Sequence, residues 1–271
     1  MNTIALSHGE LAYIDRGRGA PLLLIHGFPL DHTMWNEQIE ALAEHARVIA
    51  PDLRGFGRSP LGEVDPERGI SMAQYADELA ELLDAIGNSD PIVLVGFSMG
   101  GYIAWQFVRK HVDRLRALVQ CDTRAAADTD EARAGRIKMA EHVAEWGSGR
   151  VAEMMGPKLF SARALETKPR LMAEVRRVVE STPPAAIAAA QRGMAARPDV
   201  TAMLPSIQVP SLVFVGAADA ISPPAEMRAI AEAIPHAQFV EIPDAGHMTT
   251  MENPAAVNDA IRRFISGVVS R

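Results

Sequence analysis

Val93-Leu94-Val95-Gly96-Phe97-Ser98-Met99-Gly100-Gly101 is the stretch that decides the fold. An apolar run of strand character enters Gly-x-Ser-x-Gly, and a helical pattern follows with no loop between. A serine in that setting sits on a strained strand-to-helix turn with its hydroxyl pushed outward. The flanking glycines leave room for the turn and for the helix to lie close on the strand. A serine hydroxyl is a weak nucleophile at neutral pH. It needs a base to take its proton, a group to orient that base, and donors for the developing oxyanion. In an open α/β sheet such groups lie at the carboxyl ends of strands.

Upstream of Ser98, residues 3–6 and 11–14 read as short hairpin strands about Ser7-His8-Gly9. Residues 21–25 form a continuous apolar run, as in a strand covered on both faces. That run ends in His26-Gly27-Phe28-Pro29. Residues 35–46 read as a helix, and 47–50 as a strand leading into Asp52-Leu53-Arg54-Gly55-Phe56-Gly57-Arg58-Ser59. This last loop lacks the Gly-Lys-Ser/Thr ending of a P-loop and the spacing of a dinucleotide fold, so it reads as a structural turn. Residues 71–86 carry Met72, Tyr75, Ala76, Leu79, Leu82, Leu83 and Ile86 on one helical face. Ser71 with Gln74 makes a capping box and Ile70 with Tyr75 a hydrophobic staple. Gly87 is placed to end the helix in a left-handed conformation.

Downstream, a helix from Met99 to about His111 precedes a strand at 115–119 that ends at Cys121-Asp122. Cys121 is apolar-flanked and reads as inert core. From Thr123 to Leu204 the pattern changes to several short helices, punctuated by Gly147, Gly149, Pro157, Pro169 and Pro183-Pro184. That is too long for an ordinary loop. Alternation then resumes with a strand at 211–215, a helix at 223–234, a strand at 238–242 and a terminal helix opened by Asn253-Pro254. The expected fold is α/β, a mostly parallel eight-stranded sheet flanked by helices. Residues 1–122 and 205–271 form its core, and 123–204 an inserted helical cap.

Strand ends then nominate the partners of Ser98. His247, in Pro243-Asp244-Ala245-Gly246-His247, follows the last strand and is the base candidate; among eight histidines only it and His26 closely follow strands. Asp219, just past the strand before, is the acid that would orient it. Asp122, also at a strand end, is the rival acid. The oxyanion donors expected are the backbone N–H of Met99, next to the serine, and that of Phe28 in the loop after residue 25.

With these blocks in place the chain resembles the α/β-hydrolase superfamily over essentially its whole length. The resemblance rests on His26-Gly27-Phe28-Pro29, on Asp52 to Ser59, on Gly96-Phe97-Ser98-Met99-Gly100-Gly101, on Gly216 with Asp219, and on Gly246-His247. The order Ser98, Asp219, His247 is the nucleophile, acid and base order of that superfamily. Within it, the chain is most similar to the esterase, 3-oxoadipate enol-lactonase and cofactor-free haloperoxidase group, whose members place a helical cap where residues 123–204 lie here. One departure is Val112, where this group commonly has a proline after the nucleophile helix.

The resemblance implies a serine carboxylesterase that forms an acyl-serine on small esters. Enol-lactonase or perhydrolase–haloperoxidase activity on the same residues is the alternative, and a non-catalytic ligand-binding member of the fold a further one. Aspartate-based dehalogenase or epoxide-hydrolase chemistry is disfavoured, because Ser98 stands where those enzymes use aspartate. No cofactor or metal is expected, and the lone Cys121 excludes an internal disulfide or a Cys-based zinc site. A net charge of −7 argues against a nucleic-acid surface. The start of the chain lacks the pattern of a signal peptide and no stretch is apolar enough to span a bilayer, so a cytoplasmic location is expected. The cap methionines Met139, Met154, Met155, Met172 and Met194 either line an adaptable pocket or fill gaps between helices.

Overall fold

In the computed structural model, which describes residues 1–269, the chain opens with the hairpin strands β1 (Asn2–Leu6) and β2 (Gly9–Arg16). Then come β3 (Pro21–Ile25), α1 (Asn36–Leu42), β4 (Arg47–Pro51), α2 (Met72–Ala85), β5 (Ile92–Phe97), α3 (Met99–Lys110) and β6 (Leu115–Cys121). A helical segment follows: α4 (Asp130–Leu159), α5 (Ala162–Thr167), α6 (Pro169–Ser181) and α7 (Pro184–Ala195). The chain then returns through β7 (Ser211–Gly216), α8 (Pro224–Ala233), β8 (Gln238–Ile242), α9 (Thr249–Glu252) and α10 (Pro254–Val269).

The eight strands make one sheet in the order β1-β2-β4-β3-β5-β6-β7-β8. The pairs β1–β2 and β2–β4 are antiparallel and the remaining pairs parallel. This is the arrangement expected from the alternating pattern. Every residue of β3, β5 and β7 is buried, which is why these strands read as unbroken apolar runs. Each such valine or leucine contributes roughly 1.5–3 kcal/mol relative to exposure. The register sets Ile25 beside Gly96 and Phe97 beside Cys121. The ends of β3, β5 and β6 therefore open on one edge, where His26, Ser98 and Asp122 begin the following turns.

Local signals set several boundaries. α2 carries both halves of its capping box, and Gly87 (φ 69°) follows it in the left-handed region. The helix expected at 35–46 is shorter: a 3-10 turn, His32–Trp35, capped by Asp31, precedes α1. After Leu42 the chain tightens, with the N–H groups of His45 and Ala46 both donating to the Leu42 carbonyl before Arg47 pairs with Ala20. The helical segment also differs from the short helices expected. α4 runs 30 residues and is broken only at Gly147 (φ 75°, ψ 160°), a conformation glycine adopts without a steric penalty. Gly149 and Pro157 stay within it, whereas Pro169 and Pro184 open helices, the position where a missing N–H costs least.

This segment is tied to the sheet domain at separate points. Ile70 N–H donates to the Ala189 carbonyl (3.2 Å), the Thr182 hydroxyl to the Pro29 carbonyl (3.2 Å), and Met248 N–H to the Leu159 carbonyl (2.9 Å). Among the described residues, no helix is long and apolar enough to cross a membrane.

Candidate active site

Ser98 sits between β5 and α3 at φ 53°, ψ −111°, a conformation costing of order 1–3 kcal/mol in a non-glycine residue. The surroundings hold it there. Its N–H donates to the Cys121 carbonyl (2.9 Å), and its carbonyl accepts from Gly101, Tyr102 and the Thr123 hydroxyl. A Cβ at Gly100 would run into the backbone oxygens of Ile25 and His26, so the turn reaches this depth only with glycine there. Ser98 remains partly accessible while its chain neighbours on both sides are buried.

His247 and Asp219 reach Ser98 from the ends of β8 and β7. His247 Nε2 lies 3.0 Å from Ser98 Oγ, and His247 Nδ1 lies 2.8 Å from Asp219 Oδ2. The carboxylate accepts the Nδ1 hydrogen, which leaves the Nε2 lone pair facing the hydroxyl. His247 and Asp219 are 2% and 4% exposed, so this chain of bonds is screened from water. Burial by itself would raise the Asp219 carboxyl. The bonds from His247 and from the Ser222 and Ile221 N–H groups outweigh it and hold Asp219 below the usual carboxylate value.

Asp122 takes a different place. At φ 47° it turns back under the sheet edge, where Oδ1 accepts the Gly216 N–H (2.9 Å). Among the described residues, Asp219 is the carboxylate bonded to His247. Burial, and then the charge of Asp219, push Asp122 well above the usual range.

Met99 follows the serine in the chain, and Phe28 follows Gly27, whose backbone packs against Phe97. Met99 opens α3, so its N–H is one of the first-turn donors with no acceptor inside the helix. Phe28 is held in the loop after β3, its ring edge-on to Phe56. That loop is braced by His26, whose Nδ1 donates to the Gly27 carbonyl and whose Nε2 accepts from Leu53 N–H (2.9 Å each). Burial lowers the His26 value, in keeping with a neutral ring that donates at one nitrogen and accepts at the other. The Asp52–Ser59 turn adds a second brace. Asp52 accepts from His32 N–H, His32 Nδ1 (2.6 Å) and Arg58 N–H. Two groups, Asp31–His32–Asp52 and Asp122–Asp219–His247, bring metal-ligand atoms within 4.8 Å. In each, internal hydrogen bonds already engage the histidine.

Glu252 escaped the sequence reading. It is 3% exposed, and its carboxyl accepts Gly246 N–H (2.9 Å), Ser161 N–H (3.0 Å) and the Ser161 hydroxyl (2.6 Å). It thus joins the residue before His247 to the corner between α4 and α5. No local motif marks it, because its partners lie on different elements. The methionines of residues 123–204 divide. Met155 and Met172 line an apolar cavity of about 290 Å³ with Leu159, Phe160, Val175 and Val179, whereas Met194 is core and Met154 is exposed. Trp146 stacks on His142.

Comparison with known proteins agrees with the fold. Residues 20–254 match the family described as alpha/beta hydrolase fold. A thermophilic esterase from Thermogutta terrifontis superposes with a TM-score of 0.93 at 48% identity, covering 98% of each chain. The enol-lactonase from Burkholderia xenovorans superposes with a TM-score of 0.88 at 28% identity, covering 98% of this chain and 100% of the other. A pimeloyl-[acyl-carrier protein] methyl ester esterase from Aeromonas hydrophila is 27% identical over 257 residues, 92% of this chain and 96% of its own.

Proposed function

The chain belongs to the α/β-hydrolase family, and from that premise we propose that it is a serine hydrolase of small, uncharged carboxylic esters. The observation that carries this is the continuous bond path from Ser98 Oγ through His247 to Asp219, at 3.0 and 2.8 Å. Ser98 attacks the ester carbonyl while His247 Nε2 takes its proton. Asp219 holds the imidazole in the productive tautomer and stabilises its cationic form. The N–H groups of Phe28 and Met99 receive the oxyanion, each donor supplying roughly 3 kcal/mol to the transition state. His247 then protonates the leaving alcohol. Water, deprotonated by the same imidazole, attacks the acyl-serine and releases the acid. None of these steps calls on a cofactor, a nucleic acid or a membrane.

Residues 123–204 serve as the cap over this site and shape the acyl pocket. Two features support that role: the bond from the residue after His247 to Leu159, and the apolar cavity that Leu159 helps to line. Lactone opening is the second reading, favoured by the similarity to an enol-lactonase along 98% of the chain. It uses the same acyl-enzyme, and perhydrolysis replaces only the water by hydrogen peroxide. A panel of esters of graded chain length, several lactones and a peroxide-dependent halogenation assay, run against Ser98→Ala, separates these readings. The expected result is ester turnover that falls by at least about 10⁴-fold in Ser98→Ala. Retained turnover in that variant removes the proposal, and a strong lactone preference moves it to the second reading.

A further inference from the structure

We propose that Asp122 is a positioning residue that stands as a neutral carboxylic acid behind Asp219 and donates its proton to that carboxylate. The inference rests on the roles just given to Ser98, His247 and Asp219.

The geometry assigns one proton to a pair of carboxyl groups. Ligand atoms of Asp122, Asp219 and His247 lie within 4.8 Å of one another, and Asp122 is wholly buried. The ionisable groups facing this pair are Cys121 from β6 and His247 from the last loop. Among the described residues, no lysine or arginine pairs with either carboxyl. Two adjacent buried carboxylates without a cation do not both ionise. The donors decide which keeps the charge. Asp219 receives Ile221 N–H, Ser222 N–H and the imidazole, whereas Asp122 receives Gly216 N–H and has the Thr249 hydroxyl beside it.

The remaining oxygen, Asp122 Oδ2, is buried and has no donor directed at it. The Thr249 hydroxyl beside it gives its hydrogen to the Gly246 carbonyl at 3.0 Å. A carboxylate oxygen left bare in this way is unfavourable, but an acid oxygen carrying its own hydrogen is satisfied by the carboxylate next to it. Asp219 then gains a further donor without a second negative charge entering the site. A charged Asp122 would hold the proton on His247 more tightly and slow its delivery to the leaving group.

The test compares Asp122→Asn, which keeps a neutral donor at this place, with Asp122→Ala, which removes it. The infrared difference between wild type and Asp122→Asn at neutral pH should contain the carbonyl stretch of a protonated carboxyl group. The same band should appear in a Ser98→Ala background, so it stands or falls independently of ester turnover. Asp122→Asn should keep the wild-type pH profile and turnover. Asp122→Ala should lose roughly tenfold in kcat with little change in KM. The ascending limb of its kcat/KM profile should move to higher pH, because Asp219 without its donor favours the imidazolium. A carboxylate signature in the difference spectrum, or an Asp122→Asn variant as impaired as Asp122→Ala, overturns the proposal. If Asp122→Ala does not fold, the spectrum and Asp122→Asn decide by themselves.

Discussion

Truncating Glu252 probes how the helical segment holds the His247 loop. Glu252→Ala removes the acceptor for two buried backbone donors, Gly246 N–H and Ser161 N–H. Each buried donor left without a partner costs about 1–3 kcal/mol, so the pair costs roughly 2–6 kcal/mol. The Ser161 hydroxyl adds little, because it can rotate to another acceptor and still accepts Ala164 N–H at the start of α5. Glu252→Gln is milder. Its amide oxygen can still serve Ser161, but its NH₂ then faces Gly246 N–H, and one lost bond costs about 1–3 kcal/mol. At about 2–4 °C per kcal/mol for a chain of this size, the middle of each range, about 4 and about 2 kcal/mol, puts the melting point of Glu252→Ala roughly 8–16 °C and that of Glu252→Gln roughly 4–8 °C below wild type. Activity should fall further than stability explains. Gly246 precedes His247 in the chain, and a displacement of the base by about 1 Å costs on the order of 100-fold in rate. The assay is thermal unfolding of both variants beside kcat at a temperature where all are folded. Equal melting points for the two variants, or a Glu252→Gln variant indistinguishable from wild type in both, would refute the bonding argument.

Two further outcomes follow from the same geometry. Gly100→Ala drives a methyl group into the Ile25 and His26 carbonyls, so the serine turn must separate from the Phe28 loop. We expect about 1–3 kcal/mol of destabilisation and on the order of 100-fold lower kcat. Gly135→Ala is the control: it lies exposed within α4 with open space at its Cβ and should stabilise by about 0.5–1 kcal/mol with kcat unchanged. The second outcome concerns pH. At His32, burial opposes the charged ring, but the bond to Asp52 outweighs it and raises the imidazole above its ordinary 6.5. A raised folded value means the stabilisation is complete below about 6.5 and is lost as pH rises through that folded value. Asp52 is held below its ordinary 3.8, so its share is complete above about 3.8 and is lost as pH falls through its folded value. Denaturant midpoints should therefore separate wild type from His32→Asn more at about pH 5.5 than at about pH 8.5. An equal gap at both would show that the pair contributes no charge-dependent stability.

Much of the architecture was legible in the chain because its causes are local. The apolar run at 93–95 entering Gly-x-Ser-x-Gly leaves a strand no route but a sharp turn into a helix. Ser71, Gln74 and Gly87 bound α2 through bonds and dihedral preferences that act within a few residues. The long α4 was harder to read. Its polar and apolar residues do not sort cleanly onto one face, and its length is set by packing on α6 and α7, which the sequence pattern does not display.

The site divides along the same physical line. Residue type, order and position at strand ends nominate Ser98, Asp219, His247 and the loop of Phe28, because an open parallel sheet presents its chemistry at those ends. Sequence ranks Asp219 ahead of Asp122, although both aspartates satisfy the strand-end rule. The tertiary structure places them: Asp122 turns to Gly216, while Asp219 reaches His247. Sequence is likewise silent on Glu252, which bridges positions 91 residues apart, and on the tie between His32 and Asp52. Short-range preferences are written in neighbouring residues. A hydrogen bond between distant segments exists only once the sheet order and the helical segment have brought its two ends together.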